Sequence, residues 1–283
     1  MLAEIHKPRG THHAENHPQP GRHHQRRPAH RLRRQFGRCR RQCALIPAPS
    51  EPNAAETAAF NARKQRREKI NILNAGDWQP YSTSVNGRPL LHTSGDPSNA
   101  FMEYDFRSLP AGFAAYNGTY TDRYGSLPVK VRSYQGFRSG VVATYYKGNR
   151  FQDFMAYGVE TPPAAIPAAG RATYNGIAFD HSDRGSFTYH VDFAAKTGQG
   201  HIDGLNKYKY GDIALAAGKF TQEKQPDGRS ETLIKGKASA ATGSSFDYSL
   251  TFYGNRAEEI AGYAINDKWE GITLHGTRGA ITE

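Results

Sequence analysis

Few residues in this chain stand at spacings that suit covalent chemistry. His181-Ser182-Asp183 contains the residue types of a nucleophilic triad, but a triad is assembled in space rather than by adjacency, and the run reads as a surface turn. Glu258 and Glu259 are neighbours, so on a strand they point to opposite faces and cannot act as an acid/base pair. No G-x-S-x-G, H-E-x-x-H or phosphate-binding glycine loop is present. The chain is therefore expected not to be an enzyme.

Residues suited to binding are more concentrated. Tyr116, Tyr120, Tyr124, Tyr134, Phe137, Tyr145, Tyr146, Phe151, Phe154 and Tyr157 crowd one region, and aromatic rings supply large contact areas at low entropic cost. Tyr145 and Tyr146 are consecutive, so on one strand only one can point inward and the other is expected at the surface. The most suggestive loop is Ser133–Gly140, SYQGFRSG, whose glycines permit tight turns and close backbone approach. It places Tyr134, Phe137 and Arg138 near one bend. Aromatic faces with a guanidinium suit a planar, apolar ligand that carries carboxylates, such as haem. Haem iron also takes a His or Tyr ligand, and His92 is the only histidine of that region outside the N-terminal tail. The expected site thus lies between an Asn86-Gly87 hairpin and the Ser133–Gly140 loop, with His92 on the iron and Arg138 at a propionate. An ordinary β-turn and a surface histidine are the alternative reading of the same residues. His181, His190, His201 and His275 show no metal-ligand spacing and read as solvated or hydrogen-bonded side chains, with His190 and His275 serving as controls.

These residues need a scaffold. The chain has 283 residues and a formal charge of +11. Residues 1–50 hold 11 Lys and Arg against Glu4 and Glu15, or +9, which leaves +2 for the remainder. The folded part is thus nearly neutral, and nucleic acid is not an expected partner. The tail itself stays open between a basic arm for polyanions, a His-rich metal-binding tract and a start codon placed too early or out of frame. It lacks the apolar surface to fold alone. Cys39 and Cys43, the only cysteines, both lie in it. No segment is long and apolar enough to span a bilayer as a helix, and the start lacks a leader's apolar stretch.

Residues 51–69 read as a linker with a short helix near Ala54–Arg67. Residues 70–160 read as a β-rich handle domain, with strands at Tyr81–Val85, Pro89–His92, Phe101–Phe106, Val129–Tyr134, Gly140–Lys147 and Asp153–Val159. Residues 161–169 hold three prolines and read as a connector. Beyond Gly170, eight short strands recur every 10–15 residues with Gly, Asp or Asn turns between them. Phe187, Tyr189, Val191 and Phe193 alternate to one face. The expected fold is all-β: a C-terminal eight-stranded antiparallel up-and-down barrel over 170–283, with Trp269–Thr277 as the closing strand.

The ending resembles the C-terminal barrel of a group of Gram-negative surface lipoproteins. The residues that carry the resemblance are Phe252-Tyr253-Gly254, Ala257–Gly262 and Gly271–Gly276. The group includes transferrin-binding protein B, factor H binding protein, the haemoglobin–haptoglobin utilisation lipoproteins and the hemophilins. Val131–Asn149 is also similar to the N-terminal half of Slam-dependent surface lipoproteins. The resemblance implies an outer-membrane surface or secreted location, a Slam-type translocator and a TonB-dependent receptor. Neither cysteine follows an apolar leader, which departs from the lipidated pattern of the group. The function expected first is capture of haem, directly or from a haem-carrying host protein, for iron acquisition. The alternative is a surface lipoprotein that binds transferrin, haemoglobin or a complement regulator, or mediates colonisation, without a small ligand.

Overall fold

The structure, a computed structural model, describes residues 46–69, 79–96, 98–146, 150–224 and 228–283. Most of the N-terminal tail, residues 1–45, therefore lies outside the described residues. Helix α1 (Ala54–Arg63) opens with a capping box in which Asn53 and Glu56 bond each other's backbone N–H at 3.0 Å. Among the described residues eight strands follow: β1 (Gln65–Lys69), β2 (Ser82–Val85), β3 (Arg88–Ser94), β4 (Phe101–Asp105), β5 (Gly112–Asp122), β6 (Gly125–Gln135), β7 (Ser139–Tyr146) and β8 (Arg150–Gly158). They form one antiparallel sheet in the order β1-β4-β3-β2-β5-β6-β7-β8. The Asn86-Gly87 turn between β2 and β3 has positive φ at both residues, the conformation that a two-residue hairpin favours.

Two expectations for this half need correction. The segment 51–69 is no linker: α1 buries Phe60 in the handle core, and β1 pairs with β4 from Gln65↔Asp105 to Lys69↔Phe101. The tail does not extend to residue 50 either. Ile46 pairs with Ile281, and the Pro47 carbonyl accepts from Arg278 at 2.8 Å.

The second half is the barrel: β9 (Arg171–Phe179), β10 (Arg184–Asp192), β11 (Thr197–Asp203), β12 (Ile213–Lys224), β13 (Ser230–Ala240), β14 (Ser245–Tyr253), β15 (Glu259–Ile265) and β16 (Gly271–Arg278). It is closed, because β16 pairs both with β15 and with β9, there from Thr273↔Phe179 to Arg278↔Tyr174. Phe187, Tyr189, Val191 and Phe193 point inward with Phe246, Tyr248 and Phe252, all nearly inaccessible. Each such side chain contributes roughly 1.5–3 kcal/mol of burial. Large rings fill the interior, and the Tyr189 and Tyr248 hydroxyls bond each other at 2.9 Å.

Handle and barrel share a core. Val142 on β7 faces the handle interior, while Val141, Ala143 and Tyr145 face the barrel residues Phe179, Tyr253 and Ala261. Both faces of β7 are therefore covered, and Tyr146 is partly buried rather than exposed. Gly271 fits here because a Cβ would lie 1.5 Å from the Phe151 ring.

Candidate functional site

The expected Ser133–Gly140 loop is shorter in the structure: Ser133–Gln135 end β6, Ser139 and Gly140 begin β7, and the three-residue turn Gly136–Arg138 between them is pressed against the barrel. The Glu259 carboxylate, fully buried on β15, accepts from the backbone N–H of Phe137 at 3.0 Å and of Arg138 at 3.2 Å. It also accepts the Ser139 hydroxyl at 2.6 Å and lies 3.3 Å from His275 Nε2. Burial alone would push this carboxyl up, but His275, Ser139 and the Phe137 N–H outweigh it and hold the group below the usual carboxylate range. Ser139, His275 and Glu259 are the residue types of a hydrolytic triad, yet serine and carboxylate both meet the same nitrogen, Nε2, at 2.9 and 3.3 Å. A working triad uses the two imidazole nitrogens separately. The cluster is a buried polar lock between the two halves. His275, taken above as an indifferent control, is one of its members.

Arg138 is also structural. It is 5% exposed, with Nε bonded to Glu56 at 3.2 Å and a terminal nitrogen bonded to the Ser50 carbonyl at 3.1 Å. Glu56 accepts Asn255 Nδ2 as well, at 3.0 Å, so the cap of α1, the handle loop and the β14–β15 turn meet at one carboxylate. Tyr134 is partly buried, its ring 4.7 Å from that of His275. Burial, reinforced by Glu259, pushes its hydroxyl up. Phe137 alone of the loop's large side chains reaches solvent, at 55% exposure.

The structure does not bring His92 to this loop. His92 lies on β3, and β2 and β5 separate it from β6 in the sheet. Its Nε2 lies 2.9 Å from Glu103. It opens on a groove of about 610 Å³ whose walls include Arg66, Arg67, Glu103 and Asp105. The groove offers an imidazole and two guanidiniums, but its walls are charged where a porphyrin face takes apolar ones. Among the other barrel histidines, His190 bonds Thr173 at 2.9 Å, His201 lies 3.2 Å from Asp203, and His181 lies 3.5 Å from Asp180.

Sequence reasoning missed two exposed rings on the barrel, Tyr208 at 99% and Trp269 at 63% exposure. The Lys-Tyr-Lys-Tyr run at 207–210 carried a readable signal for the first. Tyr210 is buried and its alternate, Tyr208, is not.

Residues 164–264, from the connector into β15, match the family model for factor H binding protein, C-terminal. Among solved structures, the chain is similar to a transferrin-binding protein B mutant from Haemophilus parasuis Hp5, with 15% identity over 78% of this chain and a TM-score of 0.41. It spans 46% of that protein, about half its length. A transferrin-binding protein B mutant from Actinobacillus pleuropneumoniae H49 is 14% identical over 71% of this chain and 98% of its own, with a TM-score of 0.36. The isotype 1 protein of serogroup B Neisseria meningitidis is 13% identical over 66% of this chain and 49% of its own, with a TM-score of 0.34. On that family match, residues 164–264 of this chain resemble the C-terminal domain of factor H binding protein, one of the proteins to which the chain's ending pointed.

Proposed function

We propose that this protein is a surface-exposed or secreted bacterial binding protein whose ligand is a host protein held on the outside of the handle–barrel unit. The observation that carries the reading is the barrel itself. It matches a family named for binding factor H, and its interior is closed by Tyr174, Phe187, Tyr189, Phe246, Tyr248 and Phe252. Such a barrel displays its outer surface and loops rather than enclosing a small molecule. Export through a Slam-type translocator and hand-over to a TonB-dependent receptor belong to the same reading. Haem capture, the function expected first from the sequence, is the second reading, and the charged walls of the His92 groove count against it.

The test is to immobilise the full chain and pass purified transferrin, haemoglobin and factor H over it by surface plasmon resonance, with haemin titrated separately in solution. The reading expects saturable binding of at least one protein and a haemin spectrum like that of free haemin. A sharpened, shifted Soret band with no binding of any of the three proteins returns the function to haem capture.

A further inference from the structure

One end of the barrel is sealed by the β11–β12 loop, residues 204–212. The loop crosses the mouth and is pinned to three other turns. Asn206 N–H bonds Asp183 at 3.2 Å in the β9–β10 turn. The Thr242 hydroxyl of the β13–β14 turn bonds the Lys209 carbonyl at 2.8 Å. Lys209 Nζ meets Glu270, after the β15–β16 turn, at 3.2 Å. Tyr210 anchors the loop from below, buried against Phe246 with its hydroxyl 3.3 Å from Asp180.

Upon this fixed lid Tyr208 stands almost wholly in solvent, and Trp269 projects from the turn that the Lys209–Glu270 pair joins to it. Trp269 has φ +62°, a left-handed conformation that bulky residues rarely adopt and that strains the backbone. The Phe151 N–H, bonded to the Trp269 carbonyl at 2.8 Å, helps to hold it. Two large rings kept exposed on rigid backbone, one of them at a strained position, are what a pre-organised protein contact needs and what fold stability does not.

We propose that this sealed mouth is a docking face for a folded protein that offers an apolar cleft to Tyr208 and Trp269. The inference rests on the host-protein reading and names its surface. Charge argues for a protein cleft over an anionic membrane or polyanion. Exposed Lys130, Lys207 and Lys268 are nearly balanced by exposed Asp212 and Asp267, which leaves little of the positive excess that anionic surfaces select. Shape argues the same way, because projecting rings ask for a concave partner. The chain enters at the other end of the barrel, where Ile46 pairs with Ile281.

The test compares the full chain with Tyr208→Ser, Trp269→Asn and the combined variant, using purified transferrin, haemoglobin and factor H as probes. Tyr124→Ser, at another exposed ring (75%), is the control. The combined variant should weaken the probe that binds by at least about 30-fold, with the control within about 2-fold. Its melting temperature should not fall, since asparagine tolerates the left-handed region. Raising salt from about 0.15 to 0.5 M should change affinity by less than about 3-fold. Unchanged binding by the combined variant overturns the docking face and leaves the host-protein reading standing. So does a wild-type dimer in sedimentation that the variant dissolves, or flotation with anionic vesicles that the variant loses. A wild-type chain that binds none of the three probes overturns the host-protein reading, and this inference with it.

Discussion

Glu259→Gln removes the charge at the junction of handle and barrel while keeping the side chain's shape. Four donors converge on the native carboxylate: the N–H groups of Phe137 and Arg138, the Ser139 hydroxyl and the His275 ring. The single carbonyl of glutamine serves about two of them, and its amide turns a donor toward groups that also donate. Each buried donor left without an acceptor costs about 1–3 kcal/mol. Breaking a buried charged cluster from one side costs about 3–5 kcal/mol. The variant should therefore lose about 3–5 kcal/mol at pH 7, read by urea denaturation followed by circular dichroism. The pH profile adds an independent check. The folded state holds this carboxyl below its ordinary value of 4.5, so the stabilisation is fully present above that value and is lost as pH falls through the folded one. The gap between native and variant chains should be full above about pH 5 and close under stronger acid. A variant within about 0.5 kcal/mol of the native chain at pH 7, with a parallel acid limb, would refute the lock.

Truncation after Asp267 removes β16, which pairs with both β15 and β9; the product should aggregate in size-exclusion chromatography, and a soluble, cooperatively melting product would count against closure. Deleting residues 1–45 should leave the melting temperature within about 2 °C. Deletion through Glu56 also removes the Ile46–Ile281 pairing and the Glu56 partner of Arg138, and calorimetry should show a loss of several degrees, about 2 kcal/mol or more. Asp153 accepts the Tyr81 hydroxyl at 2.7 Å, and burial pushes its carboxyl up from 3.8. A raised acid costs stability as pH climbs past its unfolded value, so Asp153→Asn should be at least as stable as the native chain at pH 7 in urea denaturation and lose that advantage in acid.

The barrel was legible in the sequence because strands such as β10 alternate and its turns are marked by Gly, Asn and Asp. Phe187, Tyr189 and Val191 announce an inward face that the structure retains. The strand β5 was not legible: GFAAYNGTYTD mixes small and polar residues at both parities, and most of its length is only partly buried. The edge strand β1 is QRREK, a charged segment that resembles a linker because edges are defended with charge. The expected site misled for a physical reason. Arg138 and the glycines of its loop do mark a close approach, but the group approached is Glu259, more than a hundred residues away in the chain. No local spacing encodes such a partner. Trp269 carried no sequence signal either, because its exposure follows from a backbone conformation set by the β15–β16 turn and by Phe151.

A ligand protein held on the outside of the sealed barrel should leave its footprint on the barrel mouth. Hydrogen–deuterium exchange of the full chain, alone and saturated with whichever of transferrin, haemoglobin or factor H it binds, tests this most directly. Exchange should slow in residues 204–212 and 266–270, with the Gly136–Arg138 turn unchanged because it is already locked to Glu259. Protection confined to the groove of His92, Arg66 and Arg67, with the barrel mouth exchanging as in the free chain, would contradict it.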